Sequence, residues 1–215
     1  MDHFSDLILV ALMLSAVALL GTSRIAGCIR ISAAQGGLLA LLLLCVRGTG
    51  SPYFWALAGG IAVLKGIVFP WLLRRAIRET DVQCENIPSV NYLLSLGWAA
   101  VSFAVASWIS SLLSVPFHQA ASPAVAAAVF MIFSGFFLIV ARRLALMQVL
   151  GFVTLENGVY AFGLALAYDF PFLVELGILL DIFVAVFVMG IMVFRIHRAF
   201  DHIDTRQMTN LKDEP

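Results

Sequence analysis

Long apolar stretches recur along this chain and are separated by short polar segments. A helix that crosses the hydrocarbon core of a bilayer needs about 20 predominantly apolar residues. Stretches of this kind lie at about residues 4–22, 27–46, 52–74, 91–113, 122–141, 144–167 and 171–195. The second is the least apolar, because Arg30 and Gln35 interrupt it. The pattern predicts an all-α integral membrane protein with about seven transmembrane helices.

The positive charges between these stretches predict the orientation of the helices, because Lys and Arg are enriched in cytoplasmic loops. Seven crossings leave only Arg47 on one side of the membrane. The other side receives the loop and tail residues Arg24, Arg30, Arg74, Arg75, Arg78, Arg142, Arg143, Arg195, Arg198, Arg206 and Lys212. We therefore predict an N-terminus outside and a C-terminus in the cytoplasm. A polar loop at about residues 75–90 and a polar tail at residues 199–215 would also be cytoplasmic.

Composition excludes several classes of protein. Hydrophobic residues make up 62% of the 215 residues and charged residues 12%, which is too apolar for a soluble domain of this length. The formal net charge is zero, so the chain lacks the basic field that nucleic-acid binding requires. No basic region precedes the first apolar stretch, and we expect that stretch to remain as a membrane helix. The three cysteines and four histidines show no metal-ligand spacing, so we expect no metal and no cofactor.

Three ionisable residues fall in the middle third of the predicted spans, where an uncompensated charge costs several kcal/mol. They are Lys65 in the third helix, Glu156 in the sixth and Asp181 in the seventh. Glu175 lies nearer the outer end of the seventh helix. Burial disfavours the charged form of such groups and pairing favours it, so a neighbour's charge can shift the balance. The pattern predicts a proton relay through Glu156, Asp181 and Lys65, with a static ion pair that fixes helix packing as the alternative.

Residues beside Glu156 could support proton transfer. Asn157 places an amide next to the acid, and Tyr160 lies one turn further on the same helical face. Gly158 would allow another helix to approach closely. We predict supporting roles for Asn157, Tyr160 and Glu175.

The last three predicted helices, within residues 119–198, carry a family resemblance. The residues concerned are Arg142-Arg143-Leu144, Leu150-Gly151, Leu155-Glu156-Asn157 and Asp181. With these residues the region resembles the three-helix K-type subunit of complex I and the C-type subunit of multisubunit cation/proton antiporters. The resemblance implies two membrane-embedded carboxylates on a proton path.

The chain departs from that pattern at both carboxylates. In a gap-free alignment the family's first glutamate falls at Val153, whereas the acid here is Glu156, one turn later. The family's second glutamate is represented by Asp181, which has a shorter side chain.

The whole chain, with a four-helix region at residues 1–118 before the three-helix region, resembles hydrogenase-4 component E. This resemblance implies a non-redox membrane subunit of a proton- or sodium-translocating hydrogenase-type complex, without catalytic activity of its own. The implied partners are antiporter-like and other membrane-arm subunits, a peripheral hydrogenase or other redox module, and lipids. The implied location is the bacterial or archaeal cytoplasmic (inner) membrane.

Two rival functions are compatible with a protein of several membrane helices. An autonomous transporter of a small ion or solute could use the same Lys65, Glu156 and Asp181 site, although the chain shows no inverted repeat. A seven-helix retinal protein needs a lysine in its last helix for the Schiff base, and residues 171–195 contain none.

Overall fold

A computed structural model of the protein describes residues 2–22, 24–47, 50–80, 92–113, 121–166 and 190. The regular elements in these ranges are all helical. They are α1 (Asp2–Gly21), α2 (Ile25–Arg47), α3 (Pro52–Val63), a π-helical turn (Leu64–Val68), α4 (Phe69–Thr80), α5 (Tyr92–Leu112), α6 (Ala121–Ala141) and α7 (Ala145–Leu166). Helix α3, the π turn and α4 follow one another without a break.

Six spans in the described residues are long and apolar enough to cross a membrane, with α3, the π turn and the start of α4 counting as one. They coincide with the first six predicted stretches, so the chain is a multi-pass membrane protein. The seventh predicted stretch, residues 171–195, and the tail at residues 199–215 lie outside the described residues. The count of seven, the orientation and the division near residue 118 stay predictions.

The predicted start of the polar loop, at about residue 75, is wrong. Helix α4 continues to Thr80, whereas the apolar pattern ends at about residue 74. The residues that follow, such as Arg78, are polar but favour helix, and Ile77 in this end packs against the apolar core. Residues 81–91 of the predicted loop lie outside the described residues.

Helices α6 and α7 form the most extensive helix pair, because glycines let their backbones meet. A Cβ atom at Gly151 would lie 2.9 Å from the carbonyl oxygen of Gly135. A Cβ at Gly158 would lie 2.8 Å from the amide nitrogen of Ile132. The close packing predicted for Gly158 is therefore present, and Gly151 packs equally closely. Helix α6 also packs on α1 and α5, and α7 packs on α2.

A hydrogen bond joins the turn between α6 and α7 to the end of α1. Arg142 is buried, and its Nη2 atom donates a hydrogen bond to the carbonyl oxygen of Leu20 at 2.8 Å. That carbonyl belongs to the last turn of α1, where carbonyl groups lack partners within the helix. The neighbouring Arg143 is exposed. The two adjacent arginines of the predicted cytoplasmic turn therefore have different roles in the fold.

Candidate functional site

The π-helical turn places Lys65 inside the helix bundle. The backbone N–H of Phe69 donates to the carbonyl oxygen of Leu64, five residues earlier, so the turn holds one residue more than an α-helical turn. Lys65 is 3% exposed. At about 1.5 Å per residue it lies roughly 20 Å from the start of α3, near the middle of a bilayer core.

Helix α2 closes one side of this position because Gly36 has no side chain. A Cβ atom at Gly36 would lie 2.5 Å from the Cβ of Lys65 and 3.2 Å from the amide nitrogen of Gly66. A contact of 2.5 Å is essentially never found for a real Cβ atom, so only glycine allows the observed approach. The Lys65 side chain consequently extends between α2 and α7.

Lys65 forms an ion pair with Glu156 of α7. The distance from Lys65 Nζ to Glu156 Oε1 is 2.8 Å, and both side chains are almost fully buried. Glu156 lies about 17 Å from the start of α7, so the two charges meet at a similar depth. The structure thus brings together two of the three ionisable residues that the sequence placed in mid-membrane.

Asn157 and Tyr160 complete the surroundings of the ammonium group. Lys65 Nζ donates a second hydrogen bond, to Asn157 Oδ1 at 2.9 Å. It also lies over the Tyr160 ring, 5.9 Å from the ring centroid, at the outer limit of a cation–π contact. Asn157 and Tyr160 therefore both contact the lysine, and their supporting roles stay predictions. Asp181 and Glu175, the remaining predicted site residues, lie outside the described residues.

Sequence reasoning missed two further residues that extend the site. Asn157 Nδ2 donates to Gln35 Oε1 of α2 at 3.2 Å, and Gln35 Nε2 donates to Ser15 Oγ of α1 at 2.9 Å. Gln35 is completely buried. An amide in the middle of an apolar stretch was the available signal, and it was interpreted only as an interruption of the second helix.

A contribution to the stability of the fold does not by itself explain why a charged pair is present at this position. Two buried charges lose most of their hydration, and their attraction offsets this loss only when the geometry is good and further hydrogen bonds are made. Apolar side chains of similar volume often give equal or greater stability at such positions. Stability therefore gives no reason to prefer the Lys65–Glu156 pair over apolar side chains at these positions. In the described residues, no group of three or more His, Cys, Asp or Glu side chains could hold a metal ion.

Comparison with known proteins identifies relatives over most of the chain. Hydrogenase-4 component E of Escherichia coli strain K12 is 32% identical over 174 residues, which cover 79% of this chain and 78% of that protein. The same figures hold for hydrogenase-4 component E of Shigella flexneri. The uncharacterized protein Rv0085 of Mycobacterium tuberculosis is 32% identical over 209 residues, covering 94% of this chain and 93% of that protein. No family model and no solved structure matches the chain.

Proposed function

This chain belongs to the hydrogenase-4 component E family, and from that premise we propose that it is a non-redox membrane subunit of a hydrogenase-type complex that translocates protons or sodium ions. The observation that carries the proposal beyond the family is the buried ion pair between Lys65 and Glu156. A carboxylate and an ammonium group at mid-membrane depth form a site at which charge can be taken up and released.

In this proposal Glu156 receives and releases the proton, and Lys65 provides the charge that responds. The two groups are 2.8 Å apart, so a change of charge on Glu156 strongly alters the electrostatic field at Lys65. Asn157 keeps a hydrogen bond to the ammonium when the charge of Glu156 changes. Asp181 would continue the path in the seventh predicted helix, with Glu175 nearer the outer surface.

The partners in this proposal are large antiporter-like subunits and other membrane-arm subunits, together with a peripheral hydrogenase or other redox module. The location is the cytoplasmic (inner) membrane of a bacterium or archaeon. The related part of the proposal, that residues 119–198 resemble the K-type subunit of complex I, rests on the motif around Leu155-Glu156-Asn157. Exposed apolar side chains on α1 and α5, including Leu7 and Leu93, suit contact with lipid or with such subunits.

Purification tests the assembly. A tag on the C-terminus, gentle detergent and mass spectrometry would identify the proteins that accompany the chain. We expect antiporter-like membrane subunits together with a hydrogenase or another redox module. A stable chain recovered alone would contradict the subunit proposal and support an autonomous transporter.

Replacement of Glu156 with Gln tests the proton path. The amide keeps the shape of the side chain and its hydrogen bond to Lys65 but cannot take up a proton at ordinary pH. We expect Glu156→Gln to reduce proton movement at least about 10-fold, in the range that a positioned acid or base provides, with normal subunit levels. Asp6→Asn is the matched control, because Asp6 is an exposed acid near the start of α1. Wild-type proton movement in Glu156→Gln would remove this residue from the mechanism.

A further inference from the structure

A series of hydrogen bonds leads away from Lys65 and ends on the backbone of α1. The first three bonds run from Lys65 to Asn157, from Asn157 to Gln35 and from Gln35 to Ser15. In the fourth, Ser15 Oγ donates to the carbonyl oxygen of Leu12 at 2.6 Å. We call Asn157, Gln35 and Ser15 the Gln35 network. Together with Lys65 it joins α7, the π turn, α2 and α1 through polar groups in the interior of the bundle.

The chemistry of its two ends gives the Gln35 network a single direction. An ammonium group can only donate hydrogen bonds, so the atom of Asn157 that faces Lys65 must be the carbonyl oxygen. A backbone carbonyl can only accept, so the hydroxyl of Ser15 must donate to Leu12. Between these ends each amide has one orientation that satisfies both of its neighbours. The Gln35 amide oxygen accepts from the NH₂ group of Asn157, so Gln35 and the ammonium favour the same orientation of Asn157.

The network does not have the chemistry of a proton branch. The side-chain amides of Asn157 and Gln35 are neither acids nor bases in the ordinary pH range. Their contribution is a fixed dipole, and a fixed dipole beside a buried charge stabilises that charge without reorganisation.

We propose that Gln35 is a positioning residue for the Lys65–Glu156 pair, which holds the carbonyl oxygen of Asn157 against the ammonium group. The contact with Asn157 lets Lys65 keep its place when the charge on Glu156 changes. This consequence rests on the proposed proton path, whereas the positioning itself rests on the hydrogen bonds alone.

The small number of lysines in the chain allows the positioning role of Gln35 to be measured directly. Lys65 and Lys212 are the only two lysines in the sequence. Solid-state NMR of the complex in lipid, with ¹⁵N-labelled lysine in this chain alone, would give two Nζ signals. The Lys65→Arg variant assigns them by removing one signal, and Lys212, far along the sequence, serves as an internal reference.

The variants separate positioning from simple packing. We expect Gln35→Met to shift the Lys65 Nζ signal in the same direction as Asn157→Leu and by more than half as much. Added to Asn157→Leu, it should cause little further shift, because Gln35 acts through Asn157. Gln148→Met is the matched control, since Gln148 Nε2 donates to the carbonyl oxygen of Arg142 in the turn before α7. An unchanged Lys65 signal in Gln35→Met, or fully additive shifts in the double variant, would overturn the proposal.

A milder variant tests the same role if Gln35→Met fails to fold. Ser15→Ala removes the last side chain of the Gln35 network, on a half-buried position of α1. We expect a smaller shift of the Lys65 signal in the same direction, and no shift would contradict the proposal. The proposed function is judged separately, by proton movement in Glu156→Gln. A shifted lysine signal combined with wild-type proton movement in Glu156→Gln would leave the positioning role in place and remove the proton path.

Discussion

One added methyl group at Gly36 would test whether the close approach of α2 holds the ion pair in place. A Cβ at this position would lie 2.5 Å from Lys65 Cβ and 2.9 Å from the Lys65 carbonyl carbon. A Cβ at the neighbouring Gly37 would meet no described atom within 4 Å. Gly37→Ala is therefore a matched control, because it makes the same chemical change one residue further along the same helix.

The distances give the size of the effect. Non-bonded carbon atoms settle about 3.5–4.0 Å apart, so the π turn and α2 must separate by roughly 1 Å or more in Gly36→Ala. A shift of about 1 Å would take the 2.8 Å bond between Lys65 and Glu156 beyond ordinary hydrogen-bond length. Overpacking of an interior costs about 1–3 kcal/mol, and a weakened bond to a charged group adds about 1.5–3 kcal/mol.

The assay compares Gly36→Ala with Gly37→Ala in the same membrane preparation. We expect Gly36→Ala to lower the free energy of unfolding by about 2.5–6 kcal/mol, from the sum of these two costs. A thermal midpoint lower by several degrees would show this, and the Lys65 Nζ signal should move. Gly37→Ala should change stability by less than about 1 kcal/mol, the difference in helix propensity between the two residues.

Equal thermal midpoints and equal Lys65 signals in the two variants would refute the reasoning. If Gly36→Ala matches Gly37→Ala in thermal midpoint and leaves the Lys65 signal unchanged, α2 does not position the lysine. A loss of stability without any change of the Lys65 signal would show that α2 and the π turn pack closely but that the ion pair adjusts independently.

Two further predictions concern the buried charges. Lys65→Met should destabilise the fold by about 3–5 kcal/mol, because it leaves Glu156 without its counter-charge, and the Lys65→Met/Glu156→Leu double variant should recover most of the lost thermal midpoint; a double variant no more stable than the single one would contradict this. Arg142→Ala should cost about 1.5–3 kcal/mol through the lost bond to Leu20, whereas Arg143→Ala should cost less, because contacts of an exposed charge contribute little. Both arginine variants remove one positive charge from the same turn, so equal thermal midpoints would show that the Leu20 bond contributes nothing.

The hydrophobic pattern was sufficient to predict the membrane helices that the structure describes. A helix that crosses the lipid needs a long apolar segment with its backbone hydrogen bonds made within the helix. Such a segment can be recognised from the local sequence alone. The extension of α4 to Thr80 was missed, because polarity indicates where a helix leaves the membrane and not where it ends. Helical propensity continues through residues such as Arg78 after the apolar pattern has stopped.

The charged residues of the site could be predicted from the sequence, but the residues that they contact could not. Lys65 and Glu156 could be recognised because charges are costly at mid-membrane depth, and simple counting placed them at similar depths. Their pairing depends on which faces of two helices, 91 residues apart in sequence, point at each other. The role of Gln35 depends in addition on α2 lying between α1 and α7. Packing of distant helices decides both, and local patterns do not encode it.

The extra residue in the π turn has a consequence for the rotation of the helix that contains it. Successive residues of an α-helix are turned by about 100° about its axis. One inserted residue therefore rotates the whole of α4 by about that angle relative to the helix that α3 would otherwise continue. Lys65 lies within this offset, and Arg74 and Arg75 lie beyond it. A relative with one residue fewer between positions 64 and 68 could therefore form a regular α-helix there and keep both its lysine and its arginines on the sides of the bundle that they occupy here.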